Sequence, residues 1–338
     1  MKLTIQLTDH SYDVLIEEGC IHNVSRYVDL KRNIFIITDT GVPHAIIESL
    51  HSQFKSAYVY TLEAGEQSKN FENYENILKK LLELNFTRKD LIIAVGGGVV
   101  GDLSGFVAAS YMRGIDFFNI PTTSLSQIDS SIGGKVGINL NQVKNIVGAF
   151  YHPKLVLIDP SVLKTLPKRH LNNGLVEAIK AGLIYDSSLF EFFEQDDYLD
   201  YLEEIIIKAL LVKKAVVEKD EKEQNLRKIL NFGHTIGHAI ESLTGFKDLY
   251  HGECVALGML AMIDDEHLKE RVLKVFKKLD LKTEIDLNKE DLYHLVLKDK
   301  KSNMNSISIV TVNKCGEAIL KEIPHSDILI YLERLLRR

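Results

Sequence analysis

The chain has 338 residues, 45% hydrophobic and 26% charged, with a net charge of −6 and a pI near 6.1. That length exceeds what one hydrophobic core usually serves, so two domains are expected, and the acidic balance argues against a broad nucleic-acid footprint. Cys20, Cys254 and Cys315 are widely spaced with no CxxC pair, which argues against a disulfide framework or a thiolate zinc site. No apolar run is long enough to span a membrane or resembles a signal peptide, so a cytoplasmic enzyme is the expected class.

Residues 3–7 and 12–16 read as paired strands about a turn at Asp9-His10. Residues 33–39 (NIFIITD) form a short apolar strand, and 43–54 an amphipathic helix opening on Pro43. A strand at 57–61, a loop at 64–69, a helix at 71–84 and a buried strand at 90–95 follow. Helices alternating with strands that are apolar on both faces imply a largely parallel sheet covered by helices. Ligands in that architecture collect at the carboxyl ends of the strands.

Gly96-Gly97-Gly98-Val99-Val100-Gly101-Asp102 sits at such an end and precedes an apolar helix through Ala109. Glycines there let backbone N–H groups approach a phosphate at the positive end of the helix. The run is not GxGxxG, but strand, glycines and helix together predict dinucleotide binding. A strand at 117–120 ends in Pro121-Thr122-Thr123, whose hydroxyls can meet a ligand. Residues 124–145 hold Asp129, Gly133, Gly134, Lys135, Asn139, Lys144 and Asn145, and read as a long polar loop. A loop of that length inside a compact domain is usually functional or disordered, and its apolar neighbours disfavour disorder. A strand at 154–159 closes the sheet.

From residue 161 the pattern turns helical, with a hinge expected at 162–167. The apolar helix beginning at Asn173 carries Glu177 and Lys180 three positions apart, a pair expected on a buried face with a job for each charge. A long helix spans 198–219. Next comes Asn231-Phe232-Gly233-His234-Thr235-Ile236-Gly237-His238-Ala239-Ile240-Glu241, with His251-Gly252-Glu253 shortly after. Residues four apart share a helix face, so His234 and His238 project together, and His251 could fold back onto them. Two glycines in one short helix need a reason: close approach of a backbone, a ligand or a metal. Imidazoles with a carboxylate suit zinc or a similar divalent ion. Residues 306–312 and 318–323 read as a hairpin and 326–336 as a closing helix. The expected architecture is an α/β domain over 1–160, with a mostly parallel nucleotide-binding sheet, and a mainly helical metal- and substrate-binding domain over 161–338.

Taken together, GGGVVGD (96–102), SYMRGI (110–115), PTTSLSQIDSSIGGKVGIN (121–139), KNIVGAFYHP (144–153), KTLP (164–167), GLVEAIKAG (174–182), DEKE (220–223), LRKILNFGHTIGHAIE (226–241) and HGECVALG (251–258) resemble the 3-dehydroquinate synthase family of sugar-phosphate cyclases. The resemblance implies one divalent metal, zinc or cobalt, on Glu177, His234 and His251, which moves His238 from ligand to catalytic residue. It implies NAD on Ala64, Gly65, Glu66, Gln67, Ser68 and Lys69, on Gly98, Val99, Val100, Gly101 and Asp102, and on Thr122, Thr123, Lys135 and Lys144. Val162, Leu163, Lys164 and Thr165 complete that set. Asp129, Lys135, Asn145, Lys180, Lys213, Arg227, Asn231 and Lys300 match positions around substrate or cofactor. Arg113 matches a residue donated across a homodimer interface; it follows an apolar small-residue helix, where a core-facing guanidinium would be costly unless paired. Ala181 stands where the family often has Tyr, and Val136 where it often has Thr.

The reaction implied is conversion of 3-deoxy-D-arabino-heptulosonate 7-phosphate to 3-dehydroquinate and phosphate, in aromatic amino-acid biosynthesis. NAD oxidises C5, phosphate is eliminated, hydride returns, and an intramolecular aldol closes the ring. Lys135, Asn145 and Arg227 would hold the phosphate, while His238, Lys180 and Lys213 would manage hydroxyl protons and the carboxylate. A related sugar-phosphate cyclase shares nearly all these motifs. A metal-dependent NAD polyol dehydrogenase shares the two-domain plan, and a non-enzymatic NAD-binding regulator is disfavoured by the full acid–base set.

Overall fold

The computed structural model describes residues 1–141, 143–245, 248–298 and 305–336. The chain divides into two compact units, Met1–Pro167 and Lys168–Arg338. The division falls a few residues beyond the expected 160/161. The 3-10 segment Pro160–Thr165, begun by Asp159 accepting from the Ser161 amide, buries Val162 in the first unit's core.

Unit 1 is built on a seven-stranded sheet. Its strands are β1 (Lys2–Gln6), β2 (Ser11–Ile16), β3 (Ile34–Asp39), β4 (Ala57–Leu62), β5 (Leu91–Gly96), β6 (Asp116–Pro121) and, after a hairpin, β9 (Leu155–Ile158). Their order is β1-β2-β9-β6-β5-β3-β4, with only the β1–β2 pair antiparallel. Side chains alternate across a strand, and here both faces are buried. Ile34 and Ile36 join a core with α1 (His44–His51) and the 3-10 segment Cys20–Tyr27. Phe35 and Ile37 join another with α2 (Phe71–Glu83) and α3 (Gly98–Ser110). From β3 the chain runs outward to β4, then crosses to the other side of β3 for β5, β6 and β9. That reversal lies between β3 and β5, where doubly wound sheets open a crevice at the strands' carboxyl ends.

The polar stretch 124–145 is not one loop. It forms a π-turn at Ser126–Ser130, then the strands β7 (Lys135–Leu140) and β8 (Val143–Phe150), which pair as an antiparallel hairpin. The signal was the alternation in KVGINL, masked by glycines. Gly137 and Gly148 lie opposite each other, and a Cβ on Gly148 would come within 2.2 Å of the Val136 carbonyl oxygen. Only glycine permits that approach.

Unit 2 is mainly helical. It comprises α4 (Lys168–Ile184), α5 (Ser187–Glu194), α6 (Leu202–Lys219), α7 (His234–Leu243), α8 (His251–Met262), α9 (Glu266–Lys278) and α10 (Lys289–Leu297). The hairpin β10 (Ser306–Lys314)–β11 (Glu317–Pro324) follows, and α11 (Ile328–Glu333) is shorter than the helix expected at 326–336. The pattern 198–219 splits into a 3-10 turn, Tyr198–Tyr201, and α6. No helix among the described residues is long and apolar enough to cross a membrane.

Candidate active site

Helix α8 packs on both α4 and α7 and brings three predicted residues together. Glu177 Oε1 lies 3.7 Å from Nε2 of His234 and 3.7 Å from Nε2 of His251. That oxygen is buried without a hydrogen-bond partner, and 3.7 Å is too long for one. Ligands about 2.1 Å from a tetrahedral zinc stand roughly 3.4 Å apart, so the three donors have the spacing of an ion's ligand set. Each remaining group is already committed. Glu177 Oε2 accepts from Lys180 Nζ, so Oε1 alone faces the imidazoles. His234 Nδ1 is 3.2 Å from the Phe232 carbonyl, and His251 Nδ1 is 3.6 Å from Glu241 Oε2. The Phe232 carbonyl at His234 Nδ1 places that imidazole's lone pair at Nε2, the nitrogen a metal would use.

Burial opposes charge here, but neighbours override it. Lys180 and His251 hold the Glu177 carboxyl well below its ordinary range, while Glu177 and Glu241 carry His251 up to about 9. The i,i+3 Glu177–Lys180 pair is thus buried rather than a surface salt bridge, with side chains 1% and 3% exposed.

His238 is exposed and sits edge-on to His234, with ring centroids 5.2 Å apart. It also belongs to a second cluster with Glu241 and His251, so spacing alone would have allowed either triad. Of the three reasons for the two glycines, close approach of a backbone is the one the structure shows. Gly233 is the left-handed cap before α7, not part of it, and both glycines face the backbone of α8 rather than a ligand. A Cβ on Gly233 would meet the Val255 carbonyl oxygen at 2.6 Å, and one on Gly237 the Cys254 carbonyl oxygen at 3.0 Å. Close helix packing is what sets His234 against His251.

The start of α8 is clamped by residues that the sequence reading missed. Arg169 makes two hydrogen bonds to Glu253, at 2.7 and 2.8 Å, and its guanidinium lies 4.2 Å over the Tyr250 ring. Glu253 in turn accepts from the Tyr250 amide, and Gly252 N–H donates to Asn173 Oδ1. Glu241 was also missed; its position seven residues after His234, on the same face of α7, was the available signal. Lys213 is buried on α6, which packs against α4. Arg227 and Asn231 lie in the 3-10 segment Leu226–Asn231 ahead of α7. Arg227 Nη1 donates to the Glu221 carbonyl, and Asn231 donates to Glu223 at 2.7 Å. Lys300 lies outside the described residues.

In unit 1 four of the predicted cofactor segments come just after parallel strands. Residues 64–69 follow β4, 98–102 begin α3 after β5, Thr122 and Thr123 follow β6, and 162–165 lie in the 3-10 segment after β9. Gly97 faces Thr123, where a Cβ would be 3.1 Å from Cγ2, and Gly98 faces Ser130 Oγ at 3.2 Å. Lys69 Nζ is buried between Asp102 Oδ2, at 2.5 Å, and Asn145 Oδ1. Val162 and Leu163 are buried, so only their backbone can meet a ligand, and Lys164 pairs with Glu18 at 2.8 Å on the surface. Asp129 lies in the π-turn, while Lys135 and Lys144 lie on β7 and β8. Val136 packs its Cγ1 toward Gly105 of α3, a contact threonine's methyl would reproduce. Nothing in the structure explains alanine at 181.

Arg113 does not face the core: it is exposed, and both it (φ 65°) and Met112 (φ 50°) are left-handed. A cavity of about 620 Å³ opens at the carboxyl ends of β3 and β4, lined by Thr38, Asp39, Thr40, Gly41 and Thr61 among others. Burial pushes the Asp39 carboxyl up, although it accepts from the Gly41 amide. The sequence reading passed over this segment, although a buried parallel strand running into TDTGVP was its signal.

The family model for the 3-dehydroquinate synthase N-terminal domain matches residues 59–173, and that for the C-terminal domain matches 174–302. A 3-dehydroquinate synthase from Thermoanaerobacter pseudethanolicus is 43% identical, the alignment covering 98% of this chain and 99% of that protein. The chain belongs to the 3-dehydroquinate synthase family. Solved structures agree. A 2-deoxy-scyllo-inosose synthase complexed with carbaglucose-6-phosphate, NAD+ and Co2+ superposes with a TM-score of 0.88 at 25% identity, covering 99% of each chain. A 2-epi-5-epi-valiolone synthase from Streptomyces hygroscopicus subsp. jinggangensis with NAD+ and Zn2+ bound gives 0.87 at 25% identity, covering 97% of each.

Proposed function

We propose that this enzyme converts 3-deoxy-D-arabino-heptulosonate 7-phosphate to 3-dehydroquinate and phosphate. The observation that carries the reading is the orphaned Glu177 oxygen facing two imidazole nitrogens, in a chain that matches the family over nearly its whole length. Glu177, His234 and His251 would hold one zinc or cobalt ion, and the strand-end loops of unit 1 would hold NAD. The metal supplies a Lewis acid, and NAD a hydride acceptor that becomes the donor within the same turnover.

The chain's own residues do the rest. Lys180 fixes Glu177 so that one oxygen is presented, and Phe232 and Glu241 orient the two imidazoles. Exposed His238 moves hydroxyl protons, with Lys180 and Lys213 beside the substrate's hydroxyls and carboxylate. Lys135 and Asn145 bind its phosphate through charge-assisted hydrogen bonds. Purified protein with zinc or cobalt and catalytic NAD should release phosphate from the heptulosonate phosphate without accumulating NADH. Mole-for-mole NADH would point to a dehydrogenase, and phosphate released only from another sugar phosphate would point to a different cyclase.

We further infer a homodimer in the cytoplasm, in which Arg113 serves the neighbouring subunit's site. Its exposure, the left-handed backbone at 112–113, and the exposed apolar Val143, Ile146 and Phe150 on β8 support the reading. Mixing Arg113→Ala with His238→Ala subunits should restore part of the activity, because one hybrid site keeps both groups. No recovery after verified exchange would rule out donation in trans.

A further inference from the structure

Lys69 sits where the cofactor loop, the glycine-rich helix and the β7–β8 hairpin meet, and its side chain is 4% exposed. Its ammonium donates to Asp102 in the first turn or so of α3 and to Asn145 Oδ1 on β8. The loop and the hairpin are joined twice more. Asn139 N–H donates to the Lys69 carbonyl at 2.9 Å, and Asn139 Nδ2 donates to Glu66 Oε1 at 2.8 Å. Asn139 Oδ1 then accepts from the Asn145 amide at 2.9 Å, holding Asn145 in a left-handed conformation (φ 52°).

An ammonium has donors only, so it fixes which way a carboxamide turns. With Oδ1 on Lys69, the Asn145 Nδ2 must point away from it, as a donor directed elsewhere. We infer that Lys69 is a positioning residue: it sets the Asn145 carboxamide so that its N–H groups meet the substrate phosphate. The same ammonium neutralises Asp102, whose carboxylate would otherwise stand beside the helix turn assigned to the cofactor's pyrophosphate. Lys69 therefore couples order in the cofactor loop to the readiness of the substrate-binding hairpin. Arginine or methionine would not reproduce this, because a compact point charge serves both oxygens at once. The inference rests on assigning Asn145 to substrate, so its test separates the two.

The experiment is a double-mutant cycle on the full-length, metal-loaded enzyme, with Lys69→Met, Asn145→Ala and the pair. The KM for the heptulosonate phosphate is read at saturating NAD as phosphate release, and the NAD Kd by titration. Lys69→Met should raise KM about tenfold or more, as expected for losing a well-placed bond to a charged group, and should also weaken NAD. Its effect on kcat should be several times smaller. In the Asn145→Ala background the further KM effect should fall below about twofold, while the NAD effect persists. Lys69→Arg keeps the charge, folds without leaving Asp102 bare, and should recover NAD affinity more fully than KM. Equal KM factors in both backgrounds, or no KM change on Lys69→Met, overturn the coupling. If Asn145→Ala alone leaves KM unchanged, the assignment of Asn145 to substrate falls, and the inference with it.

Discussion

The two units prepare their ligand sites in opposite ways. Unit 1 places mostly backbone and small side chains at the ends of parallel strands, with Gly97 and Gly98 pressed against Thr123 and Ser130. Unit 2 places buried and half-buried charged side chains on packed helices, each balanced by a neighbour: Glu177 by Lys180, and His251 by Glu177 and Glu241. A backbone site is specified by steric room, so it is damaged by adding atoms. A buried charge cluster is specified by mutual compensation, so it is damaged by removing any member.

The largest expected effect follows from that second rule. Glu177→Ala leaves the buried Lys180 without its carboxylate and the half-buried His251 with Glu241 alone. It should cost roughly 3–5 kcal/mol in urea unfolding, abolish metal binding in elemental analysis, and lower turnover by on the order of 10³ or more. NAD affinity should change by less than about twofold if the two sites are independent. His238→Ala should instead retain its metal while losing on the order of 10²–10⁴ in kcat. Metal lost from His238→Ala but kept by His251→Ala would show that the alternative triad is the real one.

A matched pair of glycine substitutions sharpens the contrast at the next level. A Cβ at Gly252 would lie 2.0 Å from the Asn173 carbonyl oxygen, a rigid backbone atom next to His251. Gly252→Ala should therefore shift the start of α8 and weaken zinc binding about tenfold or more, as misplaced ligands do. At Gly97 the nearest atom is a Thr123 methyl at 3.1 Å, which can give way. Gly97→Ala should weaken NAD by a few fold and leave metal content unchanged. Equal damage to both ligands from either variant would dissolve the distinction between the units.

The smallest effect is electrostatic and confined to unit 1. Burial pushes the Asp90 carboxyl up, but it accepts from the Thr87 and Asn33 amides and from both side chains, and the net result is a lowered pKa. A carboxyl with a depressed folded pKa contributes stability above its unfolded value, and loses it as pH falls through the folded one. Asp90→Asn should lower the Tm by a few degrees at neutral pH. Below the ordinary value of 3.8 the gap to the parent chain should shrink. A gap independent of pH would mean that packing, not charge, makes Asp90 useful.

By itself the sequence determined the alternating α/β plan, the glycine run at a strand end, and the residue types able to hold a metal. These rest on local periodicity and on the short reach of chemistry along a chain. It also carried the family resemblance, because motif order survives without any knowledge of distance. Tertiary structure decided what spacing left open. His234 and His238 share a helix face, yet Glu177 Oε1 meets His234 and His251, because Gly233, Gly237 and Gly258 let α7 and α8 approach at backbone contact. The stretch 124–145 looked like a loop because its glycines and charges hide a period of two, which became a hairpin only through long-range pairing. The roles of Lys69, Glu241 and Arg169 depend on partners 33, 10 and 84 residues away along the chain. Contacts at such separations are set by how elements pack, which no local pattern encodes.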